Sequence, residues 1–139
     1  MKQLVFQNIN SFIRNQDPKN ALNLGYVAKI REFFRQYNVP DENYIVKENK
    51  EIIFDANLYL DNSDITKLPD NLTINGYLDI CHTNITELPH NLTVNGYLDI
   101  SYTSITKLPN NLIVTSDLFL GNTNIIELPK NLTVVGTIV

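Results

Sequence analysis

A chain of 139 residues with 43% hydrophobic and 19% charged side chains is long enough to close a core and too apolar for disorder. No apolar run approaches the roughly 18–20 residues a spanning helix needs, and the start MKQLVFQNINSF lacks the apolar stretch of a signal peptide, so a cytoplasmic protein without a membrane partner is expected. The formal charge of −4 divides unevenly: residues 1–50 carry eight Lys/Arg against five Asp/Glu, a net of +3, and residues 51–139 carry three against ten, a net of −7. One cysteine, Cys81, excludes an internal disulfide.

Up to about residue 50 the sequence shows no repeat, and its apolar residues recur at helical spacing. Val5, Ile9, Phe12 and Ile13 share one helical face; Val27, Ile30, Phe33, Phe34 and Tyr37 share another. Asp17-Pro18 supplies a cap and a first-turn proline for the second helical segment, Gly25 is expected to interrupt it, and Val39-Pro40 to stop it. YIVKENKEIIF alternates on either side of the polar KENK, which predicts a β-hairpin over about 44–54.

From residue 52 the chain repeats every 20 residues without an insertion. Leu68-Pro69, Leu88-Pro89, Leu108-Pro109 and Leu128-Pro129 align, as do Asn71, Asn91, Asn111 and Asn131. Ala56, Gly76, Gly96, Ser116 and Gly136 fall in one column, which marks a tight corner where a large side chain would strike the neighbouring coil. Within a unit Leu72 and Ile74 alternate, then Leu78 and Ile80, and Ile85 and Leu88 close the loop, so each unit holds two short strands. A lone coil buries too little apolar surface to offset the entropy of ordering it. Stacked coils share an apolar column and ladder hydrogen bonds, which is the physical reason for repetition.

The segment LDISYTSITKLP at 98–109 follows the pattern L-x-L-x-x-N-x-L-x-x-L-P, with Leu98, Ile100, Thr103, Ile105 and Leu108-Pro109 in the expected places. It resembles the short 20-residue leucine-rich repeats of bacterial proteins, including secreted effectors of enteric pathogens, and similar repeats in phage and giant-virus reading frames. Two departures stand out. Ser63, Thr83, Thr103 and Thr123 replace the asparagine that bonds the turn, a purpose a hydroxyl column is expected to serve. LTVNG adds a strand and corner that give each coil a β-solenoid character. The expected fold is α+β: an N-terminal helical cap with the start of a hairpin over 1–51, then a leucine-rich-repeat or β-solenoid of about four and a half coils over 52–139. The resemblance implies a protein-binding module with a parallel sheet at 78–81 and its equivalents. From the viral repeats it implies an inhibitor of a host or defence protein, acting in host cytoplasm.

Only His82 and His90 are present, with no recognised catalytic spacing and no glycine-rich phosphate loop, so no enzyme, cofactor or metal is expected. Asp79, Cys81 and His82 cannot all converge, because adjacent strand residues point to opposite faces. Lys67, Glu87, Lys107 and Glu127 alternate in sign and are expected to pair along the stack. Asp79 and Asp99 instead stack like on like, with Tyr77 and Tyr97 on the same face and Tyr59 and Phe119 continuing the aspartate column. Recent duplication of one unit accounts for these letters as readily as function does. On the functional reading, Tyr59, Tyr77, Asp79, Tyr97, Asp99, Tyr102 and Phe119 form a partner-binding patch. LPKNLTVVGTIV presents an apolar last coil, from which a homodimer burying Leu132, Val134 and Ile138 is expected. The alternative function is nucleic-acid binding through Lys29, Arg31 and Arg35, which the −7 solenoid opposes.

Overall fold

The computed structural model describes residues 18–139; the predicted helical face of Val5, Ile9, Phe12 and Ile13 lies outside them. The first element is helix α1, Pro18–Arg35. It runs straight through Gly25, where an interruption was expected. A Cβ at Gly25 would meet nothing within 4 Å, so the residue costs only its backbone entropy, about 1 kcal/mol against alanine. Burial of Val27, Ile30 and Phe34 on the opposite side outweighs that cost. The helix stops by the paired bonds of a Schellman turn: Val39 N–H donates to the Phe34 carbonyl at 3.1 Å and Asn38 N–H to that of Arg35 at 3.1 Å. Asn38 takes the left-handed conformation this requires, at φ 58°. No helix among the described residues is long and apolar enough to cross a membrane.

A short 3-10 turn, Asp41–Asn43, leads into the predicted hairpin of β1, Tyr44–Val46, and β2, Ile52–Phe54, paired antiparallel with Tyr44 opposite Phe54. Phe34 lies 5.0 Å from the Tyr44 ring and 4.9 Å from that of Phe54, and Tyr44 stacks on Phe54 at 4.9 Å. Helix and hairpin thus cover the apolar end of the first coil. The same packing corrects the predicted basic face. Arg31 is only 8% exposed, and desolvation pulls its pKa down against the opposing pull of Asp41. Arg35 is taken up by an ion pair with Asp41 at 2.7 Å, which leaves Lys29 of the three.

β2 is also the first rung of a parallel solenoid. The next three rungs each contribute one strand to each of two sheets, and the last adds a strand to the first sheet and an isolated bridge, Leu118 with Ile138, to the second. The first sheet adds β4, Leu72–Ile74, β6, Thr93–Val94, β8, Ile113–Val114, and β10, Thr133–Val134, in the order β1-β2-β4-β6-β8-β10. The second stacks β3, Leu58–Tyr59, β5, Leu78–Asp79, β7, Leu98–Asp99, and β9, Leu118–Phe119, in the order β3-β5-β7-β9. Residues pair with those 20 positions away, Leu58 with Leu78 and Leu78 with Leu98, so the columns read in the sequence are columns in space. The six aliphatics of a unit, Leu72, Ile74, Leu78, Ile80, Ile85 and Leu88, all point inward and are buried.

The turns explain two further columns. Asn71, Asn91 and Asn111 are left-handed, at φ 62°, 58° and 65°, a conformation asparagine tolerates better than other side chains. Asn91 also donates its side-chain amide to Asn71 Oδ1 at 2.9 Å. The hydroxyl column works within each rung rather than between rungs: Thr83, Thr103 and Thr123 each donate at 2.7 Å to the carbonyl three residues earlier, and Ser63 does so at 2.6 Å. The row Lys67, Glu87, Lys107, Glu127 contains no ion pair; those among the described residues are Arg35–Asp41 and Lys47–Glu51. All four are exposed, where holding two long side chains together gains too little to fix them.

Candidate functional site

Strand alternation sets the outer face of the second sheet. Leu78 points inward, so Asp79 points out, and Tyr77 and Cys81 two residues to either side share its face. Parallel register then places Asp79 beside Asp99, with Tyr59 and Phe119 at the two ends of that column. Alongside runs a ladder of rings: Tyr77 stacks on Tyr97 with centroids 4.2 Å apart and planes 17° apart, and Tyr97 meets Phe119 edge-on at 5.7 Å. The corner makes this stack fit, because a Cβ on Gly96 would lie 2.9 Å from the Tyr77 ring and 2.7 Å from the Gly76 carbonyl carbon. Asn57 accepts a hydrogen bond from Tyr77 N–H at 2.8 Å and donates its amide to the Tyr59 hydroxyl at 3.2 Å.

Six of the seven predicted patch residues therefore share this face. The seventh, Tyr102, sits on the adjoining turn. There it stacks on His82 at 4.3 Å, with planes 12° apart. Tyr59 is 54% exposed, Tyr77 41% and Tyr102 53%, far more than core packing asks of a ring. Sequence reasoning missed His82 as the partner of Tyr102. The signal lay in the column Asn62, His82, Tyr102, Asn122, where asparagine at both ends marks a left-handed turn position 20 residues apart; all four have φ between 54° and 57°.

The carboxylates are held by their own turns and form no ion pair among the described residues. Asp79 Oδ1 accepts from Cys81 N–H at 3.1 Å and Asp99 Oδ1 from Ser101 N–H at 2.9 Å, and the Cys81 thiol also bonds Asp79. Ligand atoms of Asp79, Asp99 and Cys81 lie within 4.8 Å of one another. Two like charges at about 4 Å repel by about 1 kcal/mol in water and about 4 kcal/mol at an effective dielectric constant of 20. No lysine or arginine occurs between residues 68 and 106 to offset this. Burial, then the hydrogen bond and charge of Asp79, push the Cys81 thiol up to about 12, so it is a protonated donor rather than a thiolate nucleophile or ready metal ligand. Burial, followed by the neighbouring Tyr59 and Asp79, also raises the pKa of Tyr97.

Elsewhere the surface offers less chemistry. An open groove of about 500 Å³ beside Leu108, Ile126 and Leu128 has Lys107 and Glu127 as its ionisable groups. The predicted dimer residues fall on the last rung, where Leu132 and Val134 are half-buried and Ile138 is exposed. Comparison with protein-family models, curated proteins and solved structures finds no match.

Proposed function

We propose that this chain is a non-enzymatic recognition module that binds a partner protein through the outer face of the second sheet and its adjoining turn. One observation carries the reading: two solvent-facing ring stacks, Tyr77–Tyr97 and His82–Tyr102, flank two carboxylates that form no ion pair among the described residues. Tyrosine contributes large, rigid contact area at low entropic cost, which suits it to such surfaces. Inhibition of a host or defence protein is what the resemblance to phage and viral repeats adds. Burial of Arg31 and pairing of Arg35 favour a protein partner over nucleic acid. Affinity capture from candidate host extracts tests it, comparing the native chain with Tyr77→Ala/Tyr102→Ala. Saturable capture lost in a variant with unchanged denaturation supports the reading, and equal capture by both overturns it.

A second reading, homodimerisation through the last rung, is favoured by a separate observation. Leu128, Val135, Ile138 and Val139 are each exposed there. Sedimentation at tens of micromolar tests it: a dimer that Ile138→Lys dissociates is expected, and a monomer rules it out.

A further inference from the structure

The charge on the proposed face specifies what a partner must bring. Asp79 and Asp99 stand side by side with one oxygen each committed to their own turn, and rings border them along the stack and on one flank. The fold does not require carboxylates in this column. Tyr59 and Phe119 occupy the same register in the rungs before and after, in sheets that pair just as well. Asp117 adds another acidic group to the neighbouring column. Among the described residues no ion pair reaches this carboxylate pair within 4.0 Å; the two that form are both in the N-terminal part.

A face of this composition is complementary to a cation that is also flat. We propose that the face recognises an arginine side chain on an extended segment of its protein partner, the guanidinium bridging Asp79 and Asp99 and lying against the Tyr77–Tyr97 ladder. This rests on the protein-binding reading and refines it. A guanidinium offers five donors in one plane, enough to reach both carboxylates, and its faces stack on aromatic rings. Lysine offers a compact, strongly hydrated charge and loses the stacking.

The test uses the full chain with a tetra-arginine and a tetra-lysine peptide at low salt, followed by backbone amide NMR. Tetra-arginine is expected to shift the amides of residues 77–81 and 97–101 saturably, with at least about five-fold tighter binding than tetra-lysine. Asp79→Asn/Asp99→Asn keeps the side-chain oxygen that accepts the turn N–H, so it should fold normally and weaken tetra-arginine about ten-fold or more. Equal affinity for the two peptides, shifts spread evenly over the acidic surface, or an unaffected double variant would overturn the proposal. So would calcium ions alone moving the same amides more tightly than the peptide does. Peptides selected from a displayed random library separate this inference from its parent. Arginine-free binders that shift these amides would sink the arginine assignment and leave the protein-binding face standing, whereas binders that all map elsewhere would sink both.

Discussion

Replacing Thr103 with valine isolates one hydrogen bond of the rung. Thr103 is buried, and its hydroxyl donates to the Ile100 carbonyl at 2.7 Å, closing the turn on which Tyr102 stands. Valine has nearly the same shape, so packing persists while a buried acceptor loses its donor. Such an acceptor costs about 1–3 kcal/mol, and Thr103→Val should lose about 2 kcal/mol of stability. Thr103→Ser is the control, since it keeps the hydroxyl and deletes one methyl group, a loss of about 1 kcal/mol. Urea denaturation followed by circular dichroism and by tyrosine fluorescence measures both variants, and coincident transitions establish that the stack unfolds as one unit. The dependence on urea should stay unchanged, because the surface exposed on unfolding is the same. A valine variant as stable as the serine variant would refute the assignment of the hydroxyl column to turn closure.

Gly25→Ala, in an exposed helix interior with open space at the Cβ, should stabilise the protein by about 0.5–1 kcal/mol in the same assay. Gly96→Ala should destabilise by about 1–3 kcal/mol, because the new methyl meets the Gly76 backbone; Gly121→Ala, whose nearest neighbour is Ser101 Oγ at 3.5 Å, should be far milder, and the two thermal midpoints give the ranking. Cys81 should react with thiol reagents far more slowly than an unfolded cysteine at pH 8. Its folded pKa is raised from 9 to about 12, so its contribution to stability is complete below about pH 9 and is lost as pH rises towards 12, which alkaline denaturation of Cys81→Ser against the native chain would reveal. Tyr102→Asn places in the third rung the residue that rungs one and four already use, so stability should change by less than about 1 kcal/mol while partner capture falls.

What the sequence made legible was whatever period two and period 20 enforce together. Inward residues such as Leu78 and Leu98 could be assigned because a one-residue slip would expose the whole column, and the corner column because only small residues fit there. Register then carried Asp79, Asp99, Tyr77 and Tyr97 onto one face. Effects that depend on a single packed environment stayed hidden. Gly25 reads as a helix breaker in isolation and is overruled by docking of the opposite face, and Arg31 reads as a solvated cation until the helix lies against Tyr44. The row of Lys67, Glu87, Lys107 and Glu127 shows the converse: spacing permitted pairing, but exposure left nothing to enforce it. The resemblance to leucine-rich repeats anticipated the coil and the parallel sheet of Leu78–Asp79 and its equivalents, whereas the first sheet, built from Leu72–Ile74 and its equivalents, follows from the extra strand after each Leu-Pro pair.

Duplication and function make different demands on the second and third rungs. The first four rungs each have a left-handed residue after the second strand, and in the first three its N–H donates to the next rung: Asn62 to Cys81, His82 to Ser101 and Tyr102 to Gly121, at 2.8–3.1 Å. Asparagine takes this conformation at 62 and 122 at least cost. His82 and Tyr102 take it at a conformational cost of about 1–2 kcal/mol each, of which ring stacking returns about 0.5–1.5 kcal/mol. Copying a unit explains why YLDI recurs letter for letter at 77–80 and 97–100, but at 82 and 102 the letters differ while a flat ring remains. The rungs that carry these rings are the same two that carry Asp79, Asp99, Tyr77 and Tyr97, so the local costs of this solenoid gather on one face and its adjoining turn. Stability alone would have placed asparagine at both turns.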